Sequence, residues 1–421
     1  MRVLIICSIF AGSLLAGNED SFLLRGATIH PVSGPDISGG MLLVKDGRIA
    51  DLGAKLAVAK GVRVIEAKGL HVYPGLIDSG TQIGLAEISS VRETVDAVEI
   101  GDFNPQLQAI VAVHPASEHI PVTRANGITS VISMPSGGVI SGQAALIHLD
   151  GWTWEQMQVR SPVSMILQFP VIQTGGRRFA AAAARTPFAE AKREYERRFQ
   201  QLREFFEQAR RYQKAKQAGG PGFQTDAKME AMLPVLEGKL PLVAHAVRER
   251  AIREAVAFAE SQKVRLVLAE AREAWKVTGL LKEKNIPVIL GPTLELPLEE
   301  DDPYDKAYAL PAELHKAGVK FAFASFSTSF SRNLPYQAAM AVAFGLPYEE
   351  ALKALTLYPA QIWGVSELVG SIEKCKLADL ILTDCDPLET RTDIKQVFIQ
   401  GRAVDLDNKH LRLYQKYMKR P

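Results

Sequence analysis

From residue 72 to residue 325, short apolar runs alternate with helical patterns, and this alternation restricts the fold more than any other feature of the sequence. Two long helical stretches are clear: Pro187–Gln217, which stops at a Gly-Gly-Pro-Gly sequence, and Arg248–Gln262. The apolar runs fit buried strands at Val72–Asp78, Gly127–Met134, Ser161–Phe169, Leu240–Ala246, Val264–Glu270, Ile286–Pro292 and Val319–Ser325. The order predicts an α/β protein with a (β/α)8 TIM-like barrel over residues 73–355, in which residues 150–235 hold inserted strands and the long helix.

Both chain ends are rich in strand patterns instead. Residues 21–71 contain alternating apolar runs, one of which ends in the turn-forming pair Asp46-Gly47. Residues 378–382 and 394–402 repeat this style near the C-terminus. We therefore expect a small β-sandwich built from residues 18–72 and 356–405, followed by a tail at 406–421.

One stretch, Gly69 to Leu85, identifies the first barrel strand. It contains Pro74-Gly75-Leu76-Ile77-Asp78, which resembles the PGLID-x-His-x-His strand of the amidohydrolase superfamily. The later strands resemble those of its imidazolonepropionase-like and prolidase-like branch, and the resemblance covers about residues 21–402. Gly370 to Asp379 resembles the segment that leads into that family's sandwich, with Cys375 in place of the usual glycine.

The resemblance implies a hydrolase of C–N bonds in small amides or dipeptides, in which one or two divalent metals activate water. It implies ligands at two histidines after strand one, a carboxylated lysine or a glutamate, one histidine each after strands five and six, and an aspartate after strand eight. Here the first pair is Gly80 and Gln82, no lysine occurs between residues 68 and 192, and Phe326 or Ser325 replaces the aspartate. Of the ligands that the resemblance implies, only His245 clearly keeps its place. One ligand cannot build a binuclear centre, so we expect none.

The candidate catalytic residues are His245 and Glu270, which end facing strands. They form an acid–base couple, or they hold at most one metal together with Asp78 or Gln82. Zinc is the ion expected, because it accepts three such ligands and a water. The alternative is a hydrogen bond that only satisfies a buried histidine. Asp78, Gln82, Gly142 and Gln143 are the candidate substrate-binding residues. Asp78 ends a strand at the catalytic face, although an aspartate at a strand end also caps loops. Gly142 and Gln143 lie in a Gly-rich loop at 135–143, which fits a hairpin connection equally well.

Composition excludes several other classes. The 421 residues are 47% hydrophobic with a net charge of +2, so nothing favours nucleic-acid binding.

Residues 1–17 have the layout of a signal peptide, too short for a membrane span, which predicts an exported, periplasmic or extracellular protein. Export would remove Cys7; Cys375 and Cys385 flank a strand that would hold them about 30 Å apart, too far to pair.

Two interpretations remain at this stage. In the first, the chain is an exported amidohydrolase-like enzyme that acts on a small amide or peptide through a reduced metal site. In the second, it is a non-catalytic barrel that binds a small ligand, or a subunit that pairs with a metal-containing relative; a homo-oligomer is also compatible. Fold alone does not decide between them.

Overall fold

The computed structural model describes residues 20–57, 61–173, 186–220 and 222–420. These residues form two eight-stranded sheets, one from the chain ends and one from the middle. The predicted signal peptide and Cys7 lie outside the described residues. No helix within the described ranges is long and apolar enough to cross a membrane.

The first sheet joins the two ends of the chain, as the sequence predicts. Its N-terminal strands are β1 (Phe22–Ile29), β2 (Ile37–Lys45), β3 (Arg48–Gly53), β4 (Arg63–Glu66) and β5 (His71–Pro74). Its C-terminal strands are β14 (Leu380–Thr383), β15 (Ile394–Ile399) and β16 (Arg402–Val404). The junction is the antiparallel pair of β14 and β5, in which Leu380 faces Pro74. Because β5 leads directly into the barrel, this sheet fixes where the barrel begins.

The second sheet is the barrel, which confirms the predicted fold class. Its strands follow chain order: β6 (Leu76–Thr81), β7 (Ile128–Ser133), β8 (Ile140–His148), β9 (Gln158–Gln168), β10 (Leu242–Ala246), β11 (Leu266–Glu270), β12 (Val288–Leu290) and β13 (Phe321–Phe323). The first and last strands meet beyond β13, where Ser325 N donates to Asp78 Oδ1 over 3.0 Å and Phe326 N donates to Gly80 O over 2.9 Å. These bonds bring the ends of β6 and β13 together at the mouth.

Strand β8 differs from the all-parallel pattern. It runs antiparallel to both β7 and β9, and the sequence analysis did not predict it. All nine of its residues are buried, so the apolar–polar alternation that marks a half-exposed strand is absent. Its Ser-Gly-Gln start was interpreted as part of a Gly-rich loop. At the other end of β8, His148 Nε2 lies 2.8 Å from Asp379 Oδ2, and this buried pair links the barrel to the terminal sheet.

Helices cover the barrel between its strands. They are α1 (His119–Arg124), α2 (Trp154–Met157), α3 (Phe188–Ala218), α4 (Ala227–Leu236), α5 (Glu249–Gln262), α6 (Thr278–Glu283), α7 (Lys306–Ala317), α8 (Leu334–Ala343), α9 (Tyr348–Leu355), α10 (Leu357–Ile362) and α11 (Lys409–Met418). The long helix α3 matches the predicted one and ends at Gly219, whose φ of 66° no other residue type adopts as easily. Its buried stripe packs on α5, with the Phe206 and Phe258 rings 5.1 Å apart.

Cys375 and Cys385 are exposed free thiols. Cys375 stands where the resemblance implies glycine, and its φ is +73°. A side chain in this left-handed region costs about 1 kcal/mol. We expect Cys375→Gly to raise the free energy of unfolding by about 0.5–1 kcal/mol in urea titrations. Cys385→Ser is the matched control and should leave it unchanged; a Cys375→Gly protein that is equally or less stable would contradict the argument.

Candidate functional site

Three neighbouring strands deliver polar side chains to one cleft at the mouth of the barrel. Gln168 ends β9, His245 lies near the end of β10 and Glu270 ends β11. The strands are parallel and in register, with His245 beside Gln168 and Ala246 beside Glu270. All three side chains line a cleft of about 1310 Å³, which exceeds the usual volume of a small-molecule pocket and therefore has room for a small molecule or a dipeptide.

His245 and Glu270, the predicted catalytic pair, are in contact. Nδ1 of His245 lies 3.3 Å from Oε1 of Glu270, at the edge of hydrogen-bond reach. The exposed fractions of their side chains are 14% and 36%, so both reach the cleft. Glu270 and Ala271 have positive φ values of 68° and 36°, a costly conformation for residues other than glycine and one that clusters at functional sites. The pair can bind a polar group of a ligand or transfer a proton to it.

Gly80 stands where the resemblance implies the first metal-binding histidine, and its surroundings are filled by apolar groups. A Cβ atom added there would lie 2.9 Å from Phe326 Cε1 and 3.2 Å from Met134 Cε. The Phe326 ring also contacts His245 edge-on, with 5.5 Å between the ring centroids. Phe326 is one of the two residues, with Ser325, predicted to replace the expected aspartate. The side chains of Phe326 and Met134, which we call the apolar plug, therefore occupy the space beside His245.

Asp78 lies beneath the plug and not in the cleft. It is fully buried, and its carboxyl group accepts hydrogen bonds from Ser325 N and Oγ, Ser331 Oγ and Gly80 N. These bonds hold the loop that carries Phe326, whose φ is +45°. The structure thus gives Asp78 the loop-capping role that was its alternative interpretation, and it does not offer the carboxyl group to a substrate.

The buried carboxyl group of Asp78 predicts a dependence of stability on pH. Burial raises its pKa to about 6, against the effect of its four hydrogen bonds. Because the folded-state pKa lies above the unfolded one, this group's contribution to stability is complete below about pH 4 and is lost as the pH rises through 6. Relative to Asp78→Asn, which does not titrate, the free energy of unfolding of the unmodified protein should fall by about 2 kcal/mol from pH 4 to pH 7. Urea titrations across this range test it, and parallel curves for the two proteins would refute it.

The other predicted substrate-binding residues are placed away from the cleft surface. Gln82 Nε2 donates to Ser136 Oγ, and it is Ser136 that lines the cleft. Gln143 is buried in β8 and donates to Pro105 O. Gly142 is buried beside it, and a Cβ there would lie 2.8 Å from Leu107 O. Gly142 and Gln143 belong to a barrel strand packed under the 104–108 loop, and their part in substrate binding stays a prediction.

Sequence analysis missed the outer walls of the cleft, which come from two helices. Tyr195 of α3 donates through its hydroxyl to Glu254 of α5 over 3.0 Å, and Arg250 donates to the same carboxylate. Glu194 binds two arginines of α3, which lower its pKa to about 2. The remaining charged wall residues include Glu190, Arg193, Arg197, Arg198 and Arg248. On α3, Glu190, Arg193 and Arg197 repeat at three- and four-residue steps, and this repeat of charged residues was the available signal.

These residues do not fit the metal centre that the family resemblance implies. Within the described ranges, no group of three or more His, Cys, Asp or Glu side chains is arranged to hold a metal ion. His245 and Glu270 supply two ligands where zinc needs three, and the hydrogen bonds that Asp78 accepts occupy its oxygens. The apolar plug fills the position from which another ligand would come.

Comparisons with known proteins agree with the fold. The family model described as Amidohydrolase family matches residues 71–404. A curated relative, the amidohydrolase tasK of Hapsidospora irregularis, is 23% identical over an alignment of 397 residues that covers 86% of this chain and 40% of that protein. The crystal structure of an amidohydrolase from Thermotoga maritima MSB8 is 27% identical, with a TM-score of 0.79 over 91% of this chain and 99% of the other. A Xaa-Pro dipeptidase structure, 16% identical with a TM-score of 0.56 over 91% of this chain and all of the other, shares the fold. The chain belongs to the amidohydrolase family.

Proposed function

We propose that this chain is a ligand-binding amidohydrolase relative that has lost the binuclear metal centre and retains the cleft. The observation that carries the proposal is the apolar plug, because Phe326 and Met134 lie within 3.2 Å of the Cβ position at Gly80. A metal-binding side chain has no room there. Zinc is bound through lone pairs on nitrogen, oxygen or sulfur, and the ring of Phe326 offers none.

The cleft keeps the features of a small-molecule site. It combines apolar lining, such as Phe169 and Val139, with the convergent polar groups Gln168, His245 and Glu270. An amide or a dipeptide matches this lining, since its N–H donates to a carboxylate and its carbonyl accepts from an imidazole or amide N–H. We therefore propose a small amide or dipeptide as the ligand.

A second candidate function is slow C–N hydrolysis by His245 and Glu270, either alone or with one zinc ion. The 3.3 Å contact between these side chains and their exposure to the cleft favour it. The two functions share the ligand and differ in turnover. An assay that measures binding and hydrolysis on the same samples distinguishes them.

The test uses N-acyl amino acids and dipeptides, with and without added zinc. Calorimetry measures binding and product release measures turnover, for the unmodified chain, for His245→Ala and for His114→Ala, an exposed loop histidine, as control. We expect binding without turnover, weakened about tenfold or more by His245→Ala, the usual cost of one hydrogen bond to a charged partner. Turnover that His245→Ala abolishes would establish the second function instead. If no compound binds, the ligand class is wrong.

We also infer from residues 1–17 that the chain is exported. N-terminal sequencing of protein from fractionated cells should find a start near Asn18. A full-length chain in the cytosol would overturn the inference.

A further inference from the structure

The C-terminal helix α11 is amphipathic, yet it buries none of its residues. Its large apolar side chains are exposed to solvent by 37–67%: Leu411, Leu413, Tyr414, Tyr417 and Met418. Helices on the surface of a globular protein normally turn such a face toward the core. The apolar face of α11 therefore lacks a partner among the residues that the structure describes.

The charges of this segment all have one sign. From Asn408 to Pro421 the sequence contains no acidic residue, and it carries five cations: Lys409, Arg412, Lys416, Lys419 and Arg420. At about 100° per residue, the five apolar side chains fall within an arc of about 160°. The three cations within the helix, Lys409, Arg412 and Lys416, fall within an arc of about 60° on the opposite side, and Lys419 and Arg420 follow the end of the helix. This separation is typical of helices that lie in the interface of an anionic bilayer, with the apolar side in the acyl region and cations among the headgroups.

Contacts with the body of the protein leave the apolar arc free. Arg412, on the cationic side, forms ion pairs with Glu118 and Asp407. Because Arg412 lies opposite the centre of the apolar arc, this attachment turns the apolar side chains outward. Lys409, Lys416, Lys419 and Arg420 form no ion pair within the described ranges, so their charge is available to an external anion.

A second exposed group lies near the helix. The indole of Trp152 is 92% exposed and borders a groove with Pro115, Ala116 and Arg402. The loop that contributes Pro115 and Ala116 continues to Glu118, which binds Arg412. Tryptophan and tyrosine favour the interface between water and lipid, so this exposed indole is a second group that suits a bilayer surface.

We propose that α11, together with Trp152, binds the surface of a bilayer that contains anionic phospholipid. The helix lies flat on the surface and does not span it. The cationic side selects lipid over an apolar protein groove, and the absence of any acidic residue in the helix argues against pairing with a second copy of the same helix. This peripheral attachment is independent of the ligand proposed for the cleft.

Vesicle co-sedimentation of the purified chain tests the proposal. One set of vesicles contains phosphatidylcholine only, and the other contains three parts in ten of phosphatidylglycerol. We expect binding to the anionic vesicles, loss of binding in 0.5 M salt because of screening, and much weaker binding to the neutral ones. Lys416→Glu with Lys419→Glu should weaken binding about 30-fold or more, since each cation near an anionic surface contributes roughly fivefold.

A triple variant, Leu411→Ser, Tyr414→Ser and Met418→Ser, tests the apolar side and should also weaken binding at least tenfold. Neither set of substitutions should change the melting temperature, because α11 buries nothing. Lys192→Glu with Lys316→Glu is the matched control, because it changes the net charge by the same amount at surface positions outside α11. This variant should bind the anionic vesicles nearly as well as the unmodified chain. Equal binding by the triple variant, no binding by the unmodified chain, or a dimer that the triple variant disrupts would each overturn the proposal.

Discussion

Deleting residues 378–404 should leave a chain that does not fold to a soluble protein. The deletion removes β14–β16, whose Leu380 and Phe398 lie in the core of the terminal sheet and whose Ile381 and Val397 pack against the barrel. Each large buried side chain contributes about 1.5–3 kcal/mol. Four or five of them equal a typical total stability of about 5–15 kcal/mol.

Two further losses act in the same direction. The deletion exposes the edge of β5, which leads into the first barrel strand, and an unpaired edge promotes aggregation. It also removes Asp379, the partner of His148, and leaves a buried imidazole unsatisfied at a cost of about 1–3 kcal/mol.

The measurement is the soluble fraction after expression, followed by thermal unfolding. Truncation after Asn408, which removes only α11 and the last residues, is the matched control and should keep both the yield and the melting temperature. A 378–404 deletion that is soluble and melts at the unmodified temperature would show that the two ends do not build a shared, stabilising sheet.

Substitution of Gly80 by histidine should strongly destabilise the protein. The new Cβ would lie 2.9 Å from Phe326 Cε1 and 3.2 Å from Met134 Cε, contacts that one or both neighbours must move to relieve. Overpacking of this kind costs about 1–3 kcal/mol. Because the clash is with the plug, Phe326→Asp should restore most of the lost stability, and aspartate also tolerates the positive φ at this position better than phenylalanine does.

A triple variant that contains the Gly80→His change should bind metal. Gly80→His, Gln82→His and Phe326→Asp together place the ligand types that the family resemblance implies beside His245. We expect about one equivalent of zinc in the triple variant, measured by elemental analysis, and strong non-additivity of the Gly80 and Phe326 changes in urea titrations. Gly34→His, where a Cβ would meet no atom within 4 Å and the backbone is not left-handed, controls for a histidine added at the surface. A stable Gly80→His single variant would contradict the plug.

Much of this site could be predicted from the sequence because barrel topology is regular. Strand ends meet at one rim of a barrel, so His245 and Glu270 could be paired from their positions alone, and the structure places them 3.3 Å apart. The alternation of elements likewise predicted the barrel and the long helix α3. Local patterns were sufficient for these features.

Contacts between distant segments could not be predicted in this way. Asp78 is bound by Ser325 and Ser331, about 250 positions later, and nothing in its own neighbourhood shows that its hydrogen-bonding capacity is occupied. Phe326 was identified as a missing ligand, but only the fold shows that its ring contacts both His245 and the Gly80 position. Strand β8 was missed because full burial on both faces removes the alternating pattern.

Elemental analysis of the native purified chain tests the central claim most directly. Without chelators during purification, and after gel filtration in metal-free buffer, we expect well below one equivalent of zinc, iron, manganese, cobalt or nickel per chain. The reason is that the apolar plug fills the place of a further ligand, which leaves only His245 and Glu270 to bind a metal. Two equivalents of tightly bound divalent metal in the unmodified protein would contradict it.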